Sequence, residues 1–125
     1  MRIHHLALRV ADPDGAAAFY SGVLGLPVVR RVSGPDGVRA VWLRTGAAIL
    51  MLERELRGRG AADGSAHLIA LAVEDLPAWE RRLGEAGVPV VDRTEHTLYL
   101  ADPDGHRVGL SVHPRGPRRR RGARR

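Results

Sequence analysis

IHHLALRVAD, at residues 3–12, is followed 63 residues further on by a similar segment, AHLIALAVED, at residues 66–75. A second pair of similar segments is GLPVV at residues 25–29 and GVPVV at residues 87–91. Self-similarity at a nearly constant spacing indicates that one structural unit occurs twice in the chain. The residues of the first segment that recur unchanged in the second are His4, Ala7, Leu8, Val10 and Asp12.

Each half of the chain has the pattern of a strand, a helix and three further strands. Asp12 and Asp75 follow an apolar strand and are typical N-cap residues, and a proline follows each within the first helical turn. Gly25 and Gly87 are typical of the residue that ends a helix. Apolar residues at helical spacing predict buried stripes formed by Ala16, Phe19, Tyr20 and Val23 and by Leu76, Trp79, Leu83 and Ala86. Further strands are predicted over 28–32, 38–44 and 48–53 in the first half and over 89–93, 97–101 and 107–112 in the second.

The composition predicts one ordinary folded domain. The chain has 125 residues, of which 44% are hydrophobic, and this is enough for a core. Cysteine is absent, which excludes disulfides, thiolate metal ligands and cysteine nucleophiles. No apolar run approaches the ~20 residues of a membrane span, and the N-terminus lacks the layout of a signal peptide. We therefore expect a cytoplasmic protein that does not contact membranes.

The net charge of +6 comes from the C-terminal tail. Seven of the 20 basic residues are arginines beyond Pro114, so the remaining 13 stand against 14 acidic residues. Residues 114–125 are predicted to be a disordered basic tail, in which the run Arg118 to Arg121 would contact nucleic acid only non-specifically. The basic character therefore carries no information about the folded part of the chain.

The paired βαβββ pattern, the opening HHLALRV at 4–10 and the ending YLADPDGHR at 99–107 resemble the vicinal oxygen chelate superfamily. This superfamily includes glyoxalase I, fosfomycin-resistance enzymes, extradiol dioxygenases and bleomycin-binding resistance proteins. The resemblance covers residues 1–113 as a single domain, with modules at about 1–57 and 64–113. It implies an α+β fold whose eight strands form an incomplete barrel around a pocket, and it implies a homodimer.

The resemblance also indicates where a metal ion would bind. Metal-dependent members carry four ligands, usually His, Glu or Gln, His and Glu, and these positions fall here on His5, Met51, Leu68 and Gly109. Of these only His5 can ligate a hard or borderline cation. Glu53 has the same strand parity as Met51, so a divalent metal held weakly by His5 and Glu53 stays an alternative. The main expectation is that the chain has no family metal and no cofactor.

Further pocket residues follow from alternation and from the resemblance. Arg9 shares a face with His5, and in glyoxalase-like members the equivalent arginine binds a carboxylate; the alternative for Arg9 is an ion pair with an acid. Tyr99 either contacts ligand or lies in the core, and Trp42 lines either the cavity or a subunit interface. His106 lies beside a turn and is predicted to be solvated. The predicted ligand pocket consists of His5, Arg9, Trp42, Met51, Glu53, Leu68, Tyr99 and Gly109.

Three functions are compatible with these observations. The prediction is a small-molecule-binding protein of the glyoxalase and bleomycin-resistance type that lacks the four-ligand metal site. The alternative is an enzyme, either a glyoxalase-like lyase or isomerase or a dioxygenase, in which His5 or Glu53 supports an altered metal site or moves a proton next to a carbonyl. A third hypothesis is a dimer whose arginine tail contacts a polyanion and whose pocket is vestigial. The sequence has no nucleophile elbow and no phosphate-binding loop.

Overall fold

The computed structural model describes residues 1–56 and 67–112. The α+β class and the two βαβββ modules are confirmed, and no helix in these ranges is long and apolar enough to cross a membrane. The elements are β1 (His5–Arg9), α1 (Pro13–Ala17), β2 (Val28–Gly34), β3 (Gly37–Thr45), β4 (Ala48–Glu53), β5 (Ile69–Ala72), α2 (Leu76–Glu85), β6 (Asp92–Arg93), β7 (Thr97–Ala101) and β8 (Arg107–Ser111).

The chain separates into two compact units, each with its own four-stranded sheet. Of the described residues, the first unit contains 1–56, 67 and 101–107, and the second contains 68–100 and 108–112. The strand order is β1-β4-β3-β2 in one sheet and β5-β8-β7-β6 in the other. In both sheets the first and last strands of the module, β1 with β4 and β5 with β8, pair in parallel.

The first helix begins as the sequence predicts and then widens. The Asp12 carboxylate caps it by accepting the N–H of Asp14 at 3.1 Å, and Pro13 lies in the first turn. From Ala18 to Val23 the chain is π-helical, and the N–H of Leu24 reaches back five residues to the carbonyl of Phe19 at 3.1 Å. The predicted stripe is buried at Ala16, Phe19 and Tyr20, whereas Val23 is only half-buried.

The sheet of the first unit has one buried face and one open face. α1 packs against β3 and β4 on the buried face. Strand alternation then directs every second side chain to the other side of the sheet. The buried face carries Leu8, Val41, Leu43, Leu50 and Leu52. The open face carries His5, Arg9, Trp42, Met51 and Glu53.

In the second unit α2 lies where the sequence predicts a helix, but fewer of its residues are buried than predicted. Asp75 caps α2 by accepting the N–H of Ala78 at 3.0 Å. Leu83 is the one residue of α2 that is fully buried, and the expected stripe residue Ala86 is exposed at the end of the helix. The strand predicted over 89–93 is limited to β6: Pro89 has no N–H to give to a ladder, and the N–H of Val91 donates to the carbonyl of Tyr99 at 2.8 Å just before β6 begins.

Candidate functional site

A cavity of about 790 Å³ opens on the first unit, at the C-terminal ends of β1 and β4. This volume lies within the range of about 300–1,000 Å³ that is typical of small-molecule sites. The wall combines positively charged, negatively charged and aliphatic side chains with one aromatic ring. The lining residues are Arg9, Val32, Pro35, Asp36, Arg39, Ala40, Trp42, Glu53, Arg54, Glu55 and Leu56.

The indole of Trp42 is the aromatic part of this wall, and it is held from two sides. Its Nε1–H donates to Oε2 of Glu53 at 3.2 Å on the neighbouring strand. The guanidinium of Arg30, the register partner of Trp42 on β2, lies 4.9 Å from the centre of the indole ring. Arg30 is not part of the cavity lining, whereas Trp42 and Glu53 are. The cation–π contact and the hydrogen bond therefore fix a ring that forms part of the cavity wall.

The charged groups of the lining comprise three guanidiniums and three carboxylates. Arg9 and Glu53 are direct partners across the parallel pair of β1 and β4. Within the described residues the Arg9 guanidinium forms no ion pair, so its charge is offered to the cavity. Arg54 donates to the backbone carbonyl of Asp36 at 3.4 Å, which ties β4 to the β2–β3 turn. The cavity can therefore meet acidic and basic groups of a ligand.

His5 lies on the same sheet face but outside the lining of the cavity. It opens β1 opposite Ile49, it is exposed, and its Nδ1 lies 2.9 Å from Nδ1 of His4. Arg9 is four residues further along the strand, which corresponds to about 13 Å at ~3.3 Å per residue. Met51 also lies on this face and outside the lining. The cavity thus includes Arg9, Trp42 and Glu53 of the predicted pocket.

The metal site considered for His5 and Glu53 does not fit this geometry. The register places Glu53 beside Arg9, four rungs from His5, whereas metal–ligand bonds measure about 2 Å. The Glu53 carboxylate is moreover directed to Trp42 on β3, which lies on the side of β4 opposite to β1. Residues 1–56 and 67–112 contain no group of three or more His, Cys, Asp or Glu side chains suited to a metal ion.

The other three predicted pocket residues belong to the second unit. A Cβ at Gly109 would lie 3.2 Å from Cγ2 of Thr97 and 3.7 Å from both Cβ of Ala70 and Cδ1 of Leu68. Gly109 is buried, and Tyr99 is half-buried on β7, with the same strand parity as Thr97. The structure therefore places Leu68 near Gly109, and a side chain at position 109 would be crowded by the methyl group of Thr97.

Several lining residues were missed in the sequence, and most belong to the β2–β3 hairpin. Alternation from Trp42 would have identified Ala40, which shares its face. Arg39 has the opposite parity, and its stem lies 3.0–3.1 Å from the place of a Cβ at Gly34. A register shift between Val32 and Ser33 occurs beside it, and such irregularities re-aim side chains. No sequence signal indicates that shift.

A buried polar network lies in the same unit, on residues 101–107 and the π-helical segment. The hydroxyl of Tyr20 donates to Oδ2 of Asp102 at 2.7 Å, and Oδ1 of Asp102 accepts the N–H groups of Asp104 and His106, both at 2.8 Å. Burial raises the pKa of the Tyr20 phenol far above its ordinary value, and the hydrogen bond to the Asp102 carboxylate raises it further. Tyr20 therefore stays neutral as a donor.

His106, which is predicted to be solvated, also makes a tertiary hydrogen bond. Its imidazole is half-buried, and Nε2 lies 2.8 Å from the carbonyl oxygen of Arg9. The neighbouring Asp104 accepts the N–H of Ala11 at 2.8 Å. These bonds join residues that are more than 90 positions apart in the chain, so local sequence patterns contain no trace of them.

The raised pKa of Tyr20 predicts a loss of stability at alkaline pH. An unfolded tyrosine releases its proton near pH ~10, whereas folded Tyr20 keeps it, so the free energy of unfolding falls as pH rises above that value. We expect this contribution to be about 1.4 kcal/mol lower at pH 11 than at pH 8. Urea unfolding at both pH values measures it, and Tyr20→Phe should lack the loss while Tyr99→Phe keeps it. Equal pH dependence in wild type and Tyr20→Phe would contradict the prediction.

Comparison with known proteins agrees with the fold. The family model described as "Glyoxalase/Bleomycin resistance protein/Dioxygenase superfamily" matches residues 2–110. Metallothiol transferase FosB of Bacillus licheniformis is 28% identical over 117 residues, which is 86% of this chain and 73% of the relative. TioX from Micromonospora sp. ML1 superposes with a TM-score of 0.75 at 23% identity, over 91% of this chain and 100% of TioX. TnmS3, an antibiotic binding protein from Streptomyces sp. CB03234, gives a TM-score of 0.69 at 22% identity, over 89% and 94% of the two chains.

Proposed function

Since the chain belongs to the glyoxalase, bleomycin resistance protein and dioxygenase superfamily, we propose that it is a small-molecule-binding protein whose ligand occupies the cavity of the first unit. The observation that carries this proposal is the fixed indole of Trp42 between Glu53 and Arg30 in the wall of that cavity. Small-molecule sites typically combine such an apolar surface with a few oriented polar groups. TnmS3, which shares the fold, is described as an antibiotic binding protein.

Each lining group has a distinct part in the proposed binding. Trp42 provides a flat contact surface, and because its ring is already held, little conformational entropy is lost when a ligand packs on it. Arg9 provides a guanidinium without an ion pair among the described carboxylates, which suits an acidic group of the ligand. Glu53 orients the indole and offers a carboxylate to donors of the ligand. A homodimer without a resident metal is part of the same proposal.

The proposal predicts that Trp42 determines affinity. We expect Trp42→Ala to raise the Kd for 8-anilinonaphthalene-1-sulfonate, an aromatic anion used as a fluorescent probe, by about ten- to thirtyfold. Trp42→Phe should retain most of the affinity, and Trp79→Ala, in the second unit, is the matched control that leaves the Kd unchanged. Fluorescence titration measures all four proteins. Equal Kd values for wild type and Trp42→Ala would show that the cavity is not the binding site.

The second candidate function is an enzyme, and the position of Glu53 favours it. Similarity to a metallothiol transferase is consistent with an enzyme, but His5 and Glu53 do not fit a shared metal ion, so a metal-free lyase or isomerase is the form of this alternative that we consider. Glu53 lies in the cavity wall, where its carboxylate could act as a general base next to a carbonyl. Glu53→Gln keeps an oxygen that accepts from Trp42 and removes the base. If wild type isomerises an α-keto hemithioacetal and Glu53→Gln does not, the protein is an enzyme and binding alone is not its function.

A further inference from the structure

The turn between β7 and β8 is fastened to the C-terminal end of β1. Nε2 of His106 lies 2.8 Å from the carbonyl oxygen of Arg9, and Oδ1 of Asp104 accepts the N–H of Ala11 at 2.8 Å. Arg9 is the last residue of β1 and part of the cavity lining. The two bonds therefore hold the backbone on both sides of Val10, immediately beside the residue that carries a cavity guanidinium.

Both groups that reach β1 share one buried anchor. Oδ1 of Asp102 accepts the N–H of Asp104 and the N–H of His106, and its Oδ2 accepts the hydroxyl of Tyr20. Tyr20 is completely buried and Asp102 nearly so. The turn 102–106 is thus pre-organised by its own carboxylate, and the positions of the His106 ring and the Asp104 carboxylate follow from that anchor.

The hydrogen bond from His106 has a defined direction. The carbonyl oxygen of Arg9 can only accept, so Nε2 of His106 carries the proton and donates. When His106 is neutral, its Nδ1 is an acceptor, and this atom lies 3.3 Å from Nε2 of His67. The two imidazoles are tilted with their centres 5.4 Å apart. His67 therefore orients the ring that holds Arg9.

The end of β1 is also held on its other edge. The N–H of Val10 donates to the carbonyl of Glu53 at 2.9 Å, in the parallel pair of β1 and β4. The turn 102–106 therefore supplies the second of two backbone restraints on the segment that carries Arg9. Binding groups must be held within about 0.5 Å to act, and a terminal strand residue with one restrained edge is prone to fraying.

We infer that His106 and Asp104 are positioning residues that set the direction of the Arg9 side chain in the cavity. This inference rests on the proposed function, because Arg9 needs a defined direction only if a ligand contacts it. His106 does not line the cavity, so it would affect ligand binding only through its hydrogen bond to Arg9.

A double-mutant cycle with 8-anilinonaphthalene-1-sulfonate tests the inference. We expect Arg9→Ala and His106→Ala each to raise the Kd about fivefold, which corresponds to one net hydrogen bond. His106→Gln places an amide N–H near the former Nε2 and should stay within about twofold of wild type. In the Arg9→Ala background, His106→Ala should have no further effect. A full effect of His106→Ala without Arg9 would overturn the inference.

A second measurement does not depend on any ligand. Amide hydrogen exchange of Val10 and Ala11 should become about tenfold faster in His106→Ala and return to the wild-type rate in His106→Gln. The control is Val73, the repeat counterpart of Val10, whose N–H donates to the carbonyl of Ser111 at 2.9 Å. Unchanged exchange at Ala11 would overturn the positioning role. Faster exchange combined with a Kd that is insensitive to Trp42→Ala would count against the proposed function and leave the restraint on β1 intact.

Discussion

Replacing Asp102 with alanine is expected to lower the free energy of unfolding by about 3–5 kcal/mol. One carboxylate accepts the Tyr20 hydroxyl and the N–H groups of Asp104 and His106, all at 2.7–2.8 Å. Asp102 is only 5% exposed and Tyr20 is not exposed at all, so water cannot replace the lost acceptor at the phenol. The penalty therefore includes a buried donor without a partner as well as the lost bonds.

Chemical denaturation at neutral pH measures this loss. Asp102→Asn keeps the shape and one acceptor oxygen and should lose about half as much. Tyr20→Phe, which leaves the two backbone bonds in place, should lose about 1–2 kcal/mol. Because the two side chains are in contact, the double mutant should show a coupling of about 1 kcal/mol or more. A loss below about 1 kcal/mol for Asp102→Ala would mean that the network contributes little to folding.

The repeat allowed most of the fold to be predicted. Asp12 and Asp75 share one position in the repeat and cap both helices, because short acidic side chains satisfy the free N–H groups at a helix start. β4 and β7 have the predicted bounds, since the turn at Gly46 precedes β4 and the turn at 102–105 follows β7. The π-helical segment Ala18–Val23 was not predicted. Widening by one residue per turn is set by tertiary packing of the helix and has no residue signature of its own.

The candidate site was predicted in part, and the register of β1 and β4 explains the difference. Alternation places His5, Arg9 and Glu53 on one face, but it does not say which residues of two parallel strands are opposite each other. The observed register sets Glu53 beside Arg9 and separates it from His5 by four rungs. Arg9 and Glu53 therefore share a cavity that excludes His5. The contact of His106 with Arg9 depends on the tertiary fold in the same way.

Gly109→Glu is expected to destabilise the protein by about 3–4 kcal/mol. Position 109 is where metal-dependent members of the family carry a carboxylate ligand, so this substitution tests whether the site still accepts one. Cγ2 of Thr97 lies 3.2 Å from the place of the new Cβ, and Leu68 and Ala70 surround it with apolar groups. The introduced carboxylate would thus be overpacked, and the one hydroxyl among these three neighbours, that of Thr97, already donates to Oγ of Ser111 at 2.9 Å.

Two substitutions at the same position separate the steric contribution from the charge. Gly109→Ala adds only the Cβ and should lower the free energy of unfolding by about 1 kcal/mol, and the neutral isostere Gly109→Gln by about 2 kcal/mol. The difference between Gly109→Glu and Gly109→Gln then measures the unpaired charge. Urea unfolding with and without Zn²⁺ or Mn²⁺ completes the test, and we expect neither ion to reduce the deficit of Gly109→Glu. Recovery of Gly109→Glu to the stability of wild type with either ion would show that metal-ligating side chains converge on position 109. A metalloenzyme would then be the better proposal for this protein than a binding protein.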